Sequence, residues 1–86
     1  MKLRLRVFVA EDCPNCREAQ VLAVRIAKTY PRLQVEIVDM KDEQALVPEI
    51  VFATPTFMLN NRIVSLGNPT LSDVAKWLKV ATVDVT

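Results

Sequence analysis

Cys13 and Cys16 frame the segment Cys13-Pro14-Asn15-Cys16, and they are the only cysteines in the 86-residue chain. Sulfur is nucleophilic as the thiolate, which is favoured where a thiol meets the unpaired N–H groups and positive dipole end at the start of a helix. If a helix opens at this segment, Cys13 occupies that position and Cys16 follows one turn later on the same face. Such a pair supplies an attacker and a resolver: Cys13 opens a disulfide, and Cys16 closes on the mixed intermediate and releases the product. Glu11 and Asp12 precede Cys13, and nearby negative charge disfavours a thiolate. The expectation is a thiol less acidic than that of a strong oxidant, with a reducing poise. Two other readings of the pair stay open. The thiols could be inert core residues, or half of a zinc or iron–sulfur site. Zinc usually takes four ligands and the chain has no histidine, so a metal site would need a second chain.

The chemistry depends on a strand before the pair and a helix after it. Residues 3–9 read as a strand, with alternating Leu3, Leu5 and Val7 merging into Val7-Phe8-Val9. Alternation that closes into an apolar run fits a strand that becomes covered on both faces. Pro14 fits a first helical position, where its missing N–H costs nothing. From there Ala19, Leu22, Ala23, Ile26, Ala27 and Tyr30 form one apolar stripe, and Pro31 ends the helix. Residues 33–39 predict a second strand and residues 41–46 a short helix. Residues 56–59 and 62–66 predict two strands joined at Asn60-Asn61, since asparagine tolerates positive φ. Gly67-Asn68-Pro69 breaks the sheet, and Leu71, Val74, Ala75 and Leu78 mark a last amphipathic helix. Residues 1–80 are thus expected as one domain, and residues 81–86 as a patternless tail, a candidate for disorder. The order β-α-β-α-β-β-α predicts an α/β fold: a four-stranded mixed sheet with flanking helices, the first two strands parallel.

Composition narrows the function further. Half of the residues are apolar, enough for a core in a short chain that buries only about 60% of its unfolded surface. Eleven basic and ten acidic residues leave a formal charge of +1, which argues against nucleic acid as a partner. Lys2, Arg4 and Arg6 alternate on one strand face and read as a solvated stripe. No apolar run approaches the roughly 18 residues of a membrane span. Arg4 and Arg6 interrupt the first apolar stretch, so no signal peptide is expected there and a cytoplasmic location is. In such a reducing setting two close thiols point to catalysis or metal binding more than to a structural staple.

A second motif is Ala53-Thr54-Pro55-Thr56-Phe57, where a proline stands at the mouth of an apolar strand and forfeits a ladder hydrogen bond. A cis Thr54–Pro55 bond would account for it, although only about 5–6% of X–Pro bonds are cis. Cys13-Pro14-Asn15-Cys16 after the first strand and Thr54-Pro55-Thr56 opening the third together resemble the thioredoxin/glutaredoxin family, over about residues 3 to 80. The resemblance implies a thioredoxin-like fold and a thiol–disulfide oxidoreductase. It assigns nucleophile and resolver to Cys13 and Cys16. It also implies a client-binding groove shaped by Thr54 and Pro55, with Pro14 and Asn15 beside it. No metal or other cofactor is implied. The implied partners are protein disulfides and a reductase or dithiol donor, and a monomer is expected.

Departures from the family pattern are specific. Asp12 stands where thioredoxins carry tryptophan, and Pro14-Asn15 replaces Gly-Pro. Val7 aligns with their buried aspartate and Val35 with its accompanying lysine. Proton transfer to Cys16 is then expected from water or an acid such as Glu11. The Cys-Pro-x-Cys form is nearer to glutaredoxins, but their glutathione-gripping glycine pair survives only as Gly67-Asn68. Residues 9–15, Ala53-Thr54-Pro55-Thr56 and Leu71-Ser72-Asp73 also resemble the KaiB family of thioredoxin-like partner-binding proteins, which lack the two cysteines. A non-catalytic interaction module is therefore the alternative.

Overall fold

The structure, a computed structural model, describes residues 3–42 and 44–85, with residues 81–85 described by their backbone alone. Its elements are β1 (Arg4–Val9), α1 (Cys16–Thr29), β2 (Gln34–Asp39), β3 (Thr56–Leu59), β4 (Arg62–Leu66) and α2 (Leu71–Val85). The four strands form one mixed sheet in the order β2-β1-β3-β4. β1 runs parallel to β2, with Val7 opposite Ile37, and antiparallel to β3, with Phe8 opposite Thr56. β3 and β4 form an antiparallel hairpin with a register shift at Phe57/Met58. Its turn holds Asn60 at φ 53, a conformation that asparagine accepts more readily than most residues.

Alternation along β1 sends its side chains to two different cores. Leu5, Val7 and Val9 join Cys16, Ala19, Ala23 and Ile26 of α1, Phe57 and Leu59 of β3, and Val74 of α2. Alanines on the α1 stripe let that helix lie close to the sheet. Phe57 meets Trp77 of α2 with ring centroids 6.3 Å apart. The opposite face carries a smaller core of Phe8, Met58 and Val51, with Val38, Met40, Val47 and Ile63 packed on it. That face is therefore covered by the connection between β2 and β3.

The short helix expected over residues 41–46 is absent among the described residues; Glu43 lies outside them. Asp39 Oδ1 accepts the Lys41 N–H at 2.9 Å and Asp42 Oδ1 accepts the Gln44 N–H at 3.0 Å. These side chains offer the backbone turns in place of helical bonds, and Pro48 closes the segment. Of the expected solvated basic stripe, Arg4 is exposed but paired, and Arg6 departs from the expectation. Arg4 pairs with Glu36 through two 2.9 Å hydrogen bonds, which hold the Glu36 carboxyl below its usual range. Arg6 is half-buried, lies 5.8 Å over the Phe8 ring and donates to the Asn60 carbonyl at 2.9 Å. Lys2 lies outside the described residues.

α2 opens with a reciprocal cap. The Thr70 N–H donates to Asp73 Oδ2 at 3.0 Å, and the Asp73 N–H donates to Thr70 Oγ1 at 3.1 Å. Bonding to the Thr70 backbone and hydroxyl holds the Asp73 carboxyl below its ordinary range. The helix runs on to Val85, over residues expected to form a patternless tail, and Thr86 lies outside the described residues.

Candidate functional site

Cys13 and Cys16 are joined by a disulfide with their Cα atoms 5.3 Å apart. The pair stands where β1 hands over to α1. The chain leaves Val9, turns with the Cys13 N–H on the Ala10 carbonyl at 3.3 Å, and turns again with the Cys16 N–H on the Cys13 carbonyl at 3.2 Å. Pro14 and Asn15 are the middle residues of that second turn, and the helix starts at Cys16 rather than at Pro14. The fixed φ of proline suits the first middle position of a turn as well as a helix start.

The two sulfurs have different surroundings. Cys16 is 2% exposed and belongs to the core with Val7 and Ala19. Its Sγ lies 3.5 Å from the Ala10 N–H, which donates to it. Cys13 is half-buried at the edge of the same core, while Glu11, Asp12, Pro14 and Asn15 around it are exposed. Asn15 takes the N-cap position without a side-chain hydrogen bond.

The proline motif lies at the same end of the sheet. Antiparallel pairing of Phe8 with Thr56 puts the start of β3 beside the end of β1, so Pro55 flanks the segment that leads to Cys13. The Thr54–Pro55 peptide bond is cis. Pro55 is buried and Thr54 half-buried. The Thr56 hydroxyl is fully buried and donates to the Ala53 carbonyl at 2.6 Å, fixing the turn into the strand.

Two further groups join this end of the molecule. The Gly67 N–H donates to the Pro55 carbonyl at 2.8 Å, and the Asn68 side-chain amide donates to the Asn15 carbonyl at 3.1 Å. Sequence reasoning identifies Gly67-Asn68 only as part of a sheet break and as a reduced glycine pair. The sole signal is an asparagine beside a strand-ending glycine, and nothing local marks its partner 53 residues away. The Ala10 N–H is likewise unmarked, because any residue except proline carries one.

Val7 and Val35 are the residues expected, on the resemblance alone, to replace a buried aspartate and its lysine. Val7 is fully buried and Val35 half-buried. Thr56 is the one buried polar side chain among the described residues, so the core around Cys16 offers no carboxylate. Among the described residues no group of three or more histidine, cysteine or acidic side chains is placed to hold a metal ion. No helix among them is long and apolar enough to cross a membrane.

Comparison with known proteins agrees with this geometry. The family profile described as "Thioredoxin domain" matches residues 3–79. A thioredoxin of Methanocaldococcus jannaschii is 25% identical over 80 residues, covering 91% of this chain and 94% of its own. Fasciola hepatica thioredoxin superposes with a TM-score of 0.63 at 28% identity, covering 77% of this chain and 68% of that one. Thioredoxin 1 of Thermosipho africanus superposes at 0.66 over 92% of this chain and 98% of its own, and at 17% identity it speaks for the fold alone. With its two cysteines at the start of α1 and a profile match over nearly its whole length, this chain belongs to the thioredoxin-domain family, whose general chemistry is thiol–disulfide oxidoreduction.

Proposed function

We propose that the chain reduces protein disulfides, with Cys13 as the nucleophile and Cys16 as the resolving thiol. The observation that carries this reading is the asymmetry of the pair: Cys13 is partly open at the turn before α1, whereas Cys16 is 2% exposed. A client sulfur can reach only the first of them directly. In the reduced protein the Cys13 thiolate attacks one client sulfur and breaks the client S–S bond. The departing client thiolate takes a proton from water. Cys16, deprotonated, then attacks Cys13 Sγ and expels the second client sulfur, which is protonated in turn. Two electrons pass from the dithiol to the client, and the Cys13–Cys16 disulfide remains.

The roles of the neighbours follow from their positions. Helix N-terminal N–H groups left without a side-chain cap at Asn15 are available to favour a Cys13 thiolate. Glu11 and Asp12, both exposed, oppose it. With no buried carboxylate beside Cys16, its proton leaves to water or to Glu11. Thr54 and Pro55, with Pro14 and Asn15, line the groove in which a client strand lies. A dithiol or a reductase re-reduces the pair, in a reducing, cytoplasmic setting. No bound cofactor takes part.

The test is turnover of insulin or a small disulfide by wild type and by Cys13→Ser, with a parallel measurement of the reduction potential. The proposal expects activity that Cys13→Ser abolishes, and a potential near the −270 mV of reducing thioredoxins rather than about −120 mV. Equal rates for the two proteins would instead favour the non-catalytic interaction module.

A further inference from the structure

We infer that Asn68 is a positioning residue that clamps the cysteine turn in register with Pro55; the inference rests on the thiol–disulfide reading above. The Asn68 side-chain amide donates to the Asn15 carbonyl at 3.1 Å, which also accepts the Ala19 N–H at 3.1 Å. That carbonyl shares one rigid peptide plane with the Cys16 N–H. The Cys16 N–H in turn bonds to the Cys13 carbonyl at 3.2 Å and closes the cysteine turn. Holding the Asn15 carbonyl therefore fixes the orientation of the peptide on which the turn depends.

The other end of the clamp is the residue just before. The Gly67 N–H holds the Pro55 carbonyl at 2.8 Å, and the Ser65 hydroxyl braces this corner by donating to the Gly67 carbonyl at 2.9 Å. Two consecutive residues thus grip the two walls of the site, one through its backbone and the other through its side chain. Gly67 can be replaced only with backbone strain, at φ 98. Asn68 is the part that a change of side chain can release. Its exposure and that of Asn15 mean that the bond adds little to global stability. Its effect falls on the alignment of the two sulfurs.

The experiment compares wild type with Asn68→Ala and Asn68→Asp, the latter keeping the shape but lacking the N–H donor. The equilibrium constant of the Cys13–Cys16 pair against dithiothreitol is measured without any client, beside Tm and disulfide turnover. Both variants are expected to shift that equilibrium about twofold to tenfold towards the dithiol, the range of one net hydrogen bond, with Tm unchanged. Their turnover should fall by a similar factor. An unshifted equilibrium overturns the inference, whether Tm holds or falls, since a merely structural residue would move Tm alone. If the wild-type pair equilibrates normally yet reduces no client, the reductase reading fails while the clamp is still judged on the equilibrium constant.

Discussion

Replacing Gly67, the one glycine of the chain, separates backbone strain from steric crowding. A Cβ at this position would meet no atom within 4 Å, while φ there is +98. Gly67→Ala therefore adds no clash, and its whole cost lies in forcing an L-residue into a positive-φ conformation, about 1–3 kcal/mol. Alanine also restricts the unfolded chain, which offsets about 0.4–1 kcal/mol. The net destabilisation is about 1 kcal/mol. For a domain of this size that corresponds to a Tm lower by about 4–8 °C. Circular dichroism melts at matched pH and redox state measure it. A D-alanine introduced at residue 67 by chemical synthesis prefers positive φ and should leave Tm unchanged or raise it. The reasoning is refuted if Gly67→Ala melts at or above the wild-type temperature, or if both alanine enantiomers destabilise equally.

Asp73→Asn should destabilise the protein at neutral pH, as read by urea denaturation across a pH series. The folded carboxyl is held below the ordinary aspartate value of 3.8, so its contribution is full above that value and fades as pH falls through the lower folded one. A gap between wild type and variant that widens on acidification would contradict this assignment. Phe57→Ala removes a fully buried ring that contacts Trp77. The expected loss is about 3–5 kcal/mol, from a total of about 4–13 kcal/mol for a chain of this length. A loss under about 1 kcal/mol in the same assay would show that the core closes around the gap. In the reduced protein, iodoacetamide should alkylate the half-buried Cys13 well before the buried Cys16; faster labelling of Cys16 would reverse the assigned roles.

Elements whose patterns are local and strong are legible in the amino-acid sequence. The strands expected over residues 56–59 and 62–66 coincide with β3 and β4, because a dense apolar segment, Asn60-Asn61 and a second short strand leave little choice of hairpin. The alanine-rich stripe places the buried face of α1 correctly for Ala19, Ala23 and Ile26. The fold class and the order of the four strands and two long helices match the expectation, while the short helix between the second and third strands does not form. What the sequence hides depends on competition or distance. Asp39 and Asp42 take backbone N–H groups that a helix over residues 41–46 would have used. Arg4 and Arg6 look like a free stripe until β2 and β3 bring Glu36 and Asn60 to them. The site itself divides in the same way. The cysteine pair announces itself by spacing and Thr54-Pro55 by a proline at a strand mouth and by the family resemblance, whereas the Asn68 contact exists only once β4 and α2 fold the chain back on α1.

The most direct measurement is a trap. Cys16→Ser protein, reduced and mixed with an excess of a disulfide client, should accumulate a covalent client adduct on Cys13, seen by mass spectrometry and released by dithiothreitol, because no second thiol remains to resolve it. Wild type treated the same way should show the intramolecular disulfide and free client thiols. Recovery of Cys16→Ser without an adduct, under conditions where wild type consumes the client, would contradict attack through Cys13.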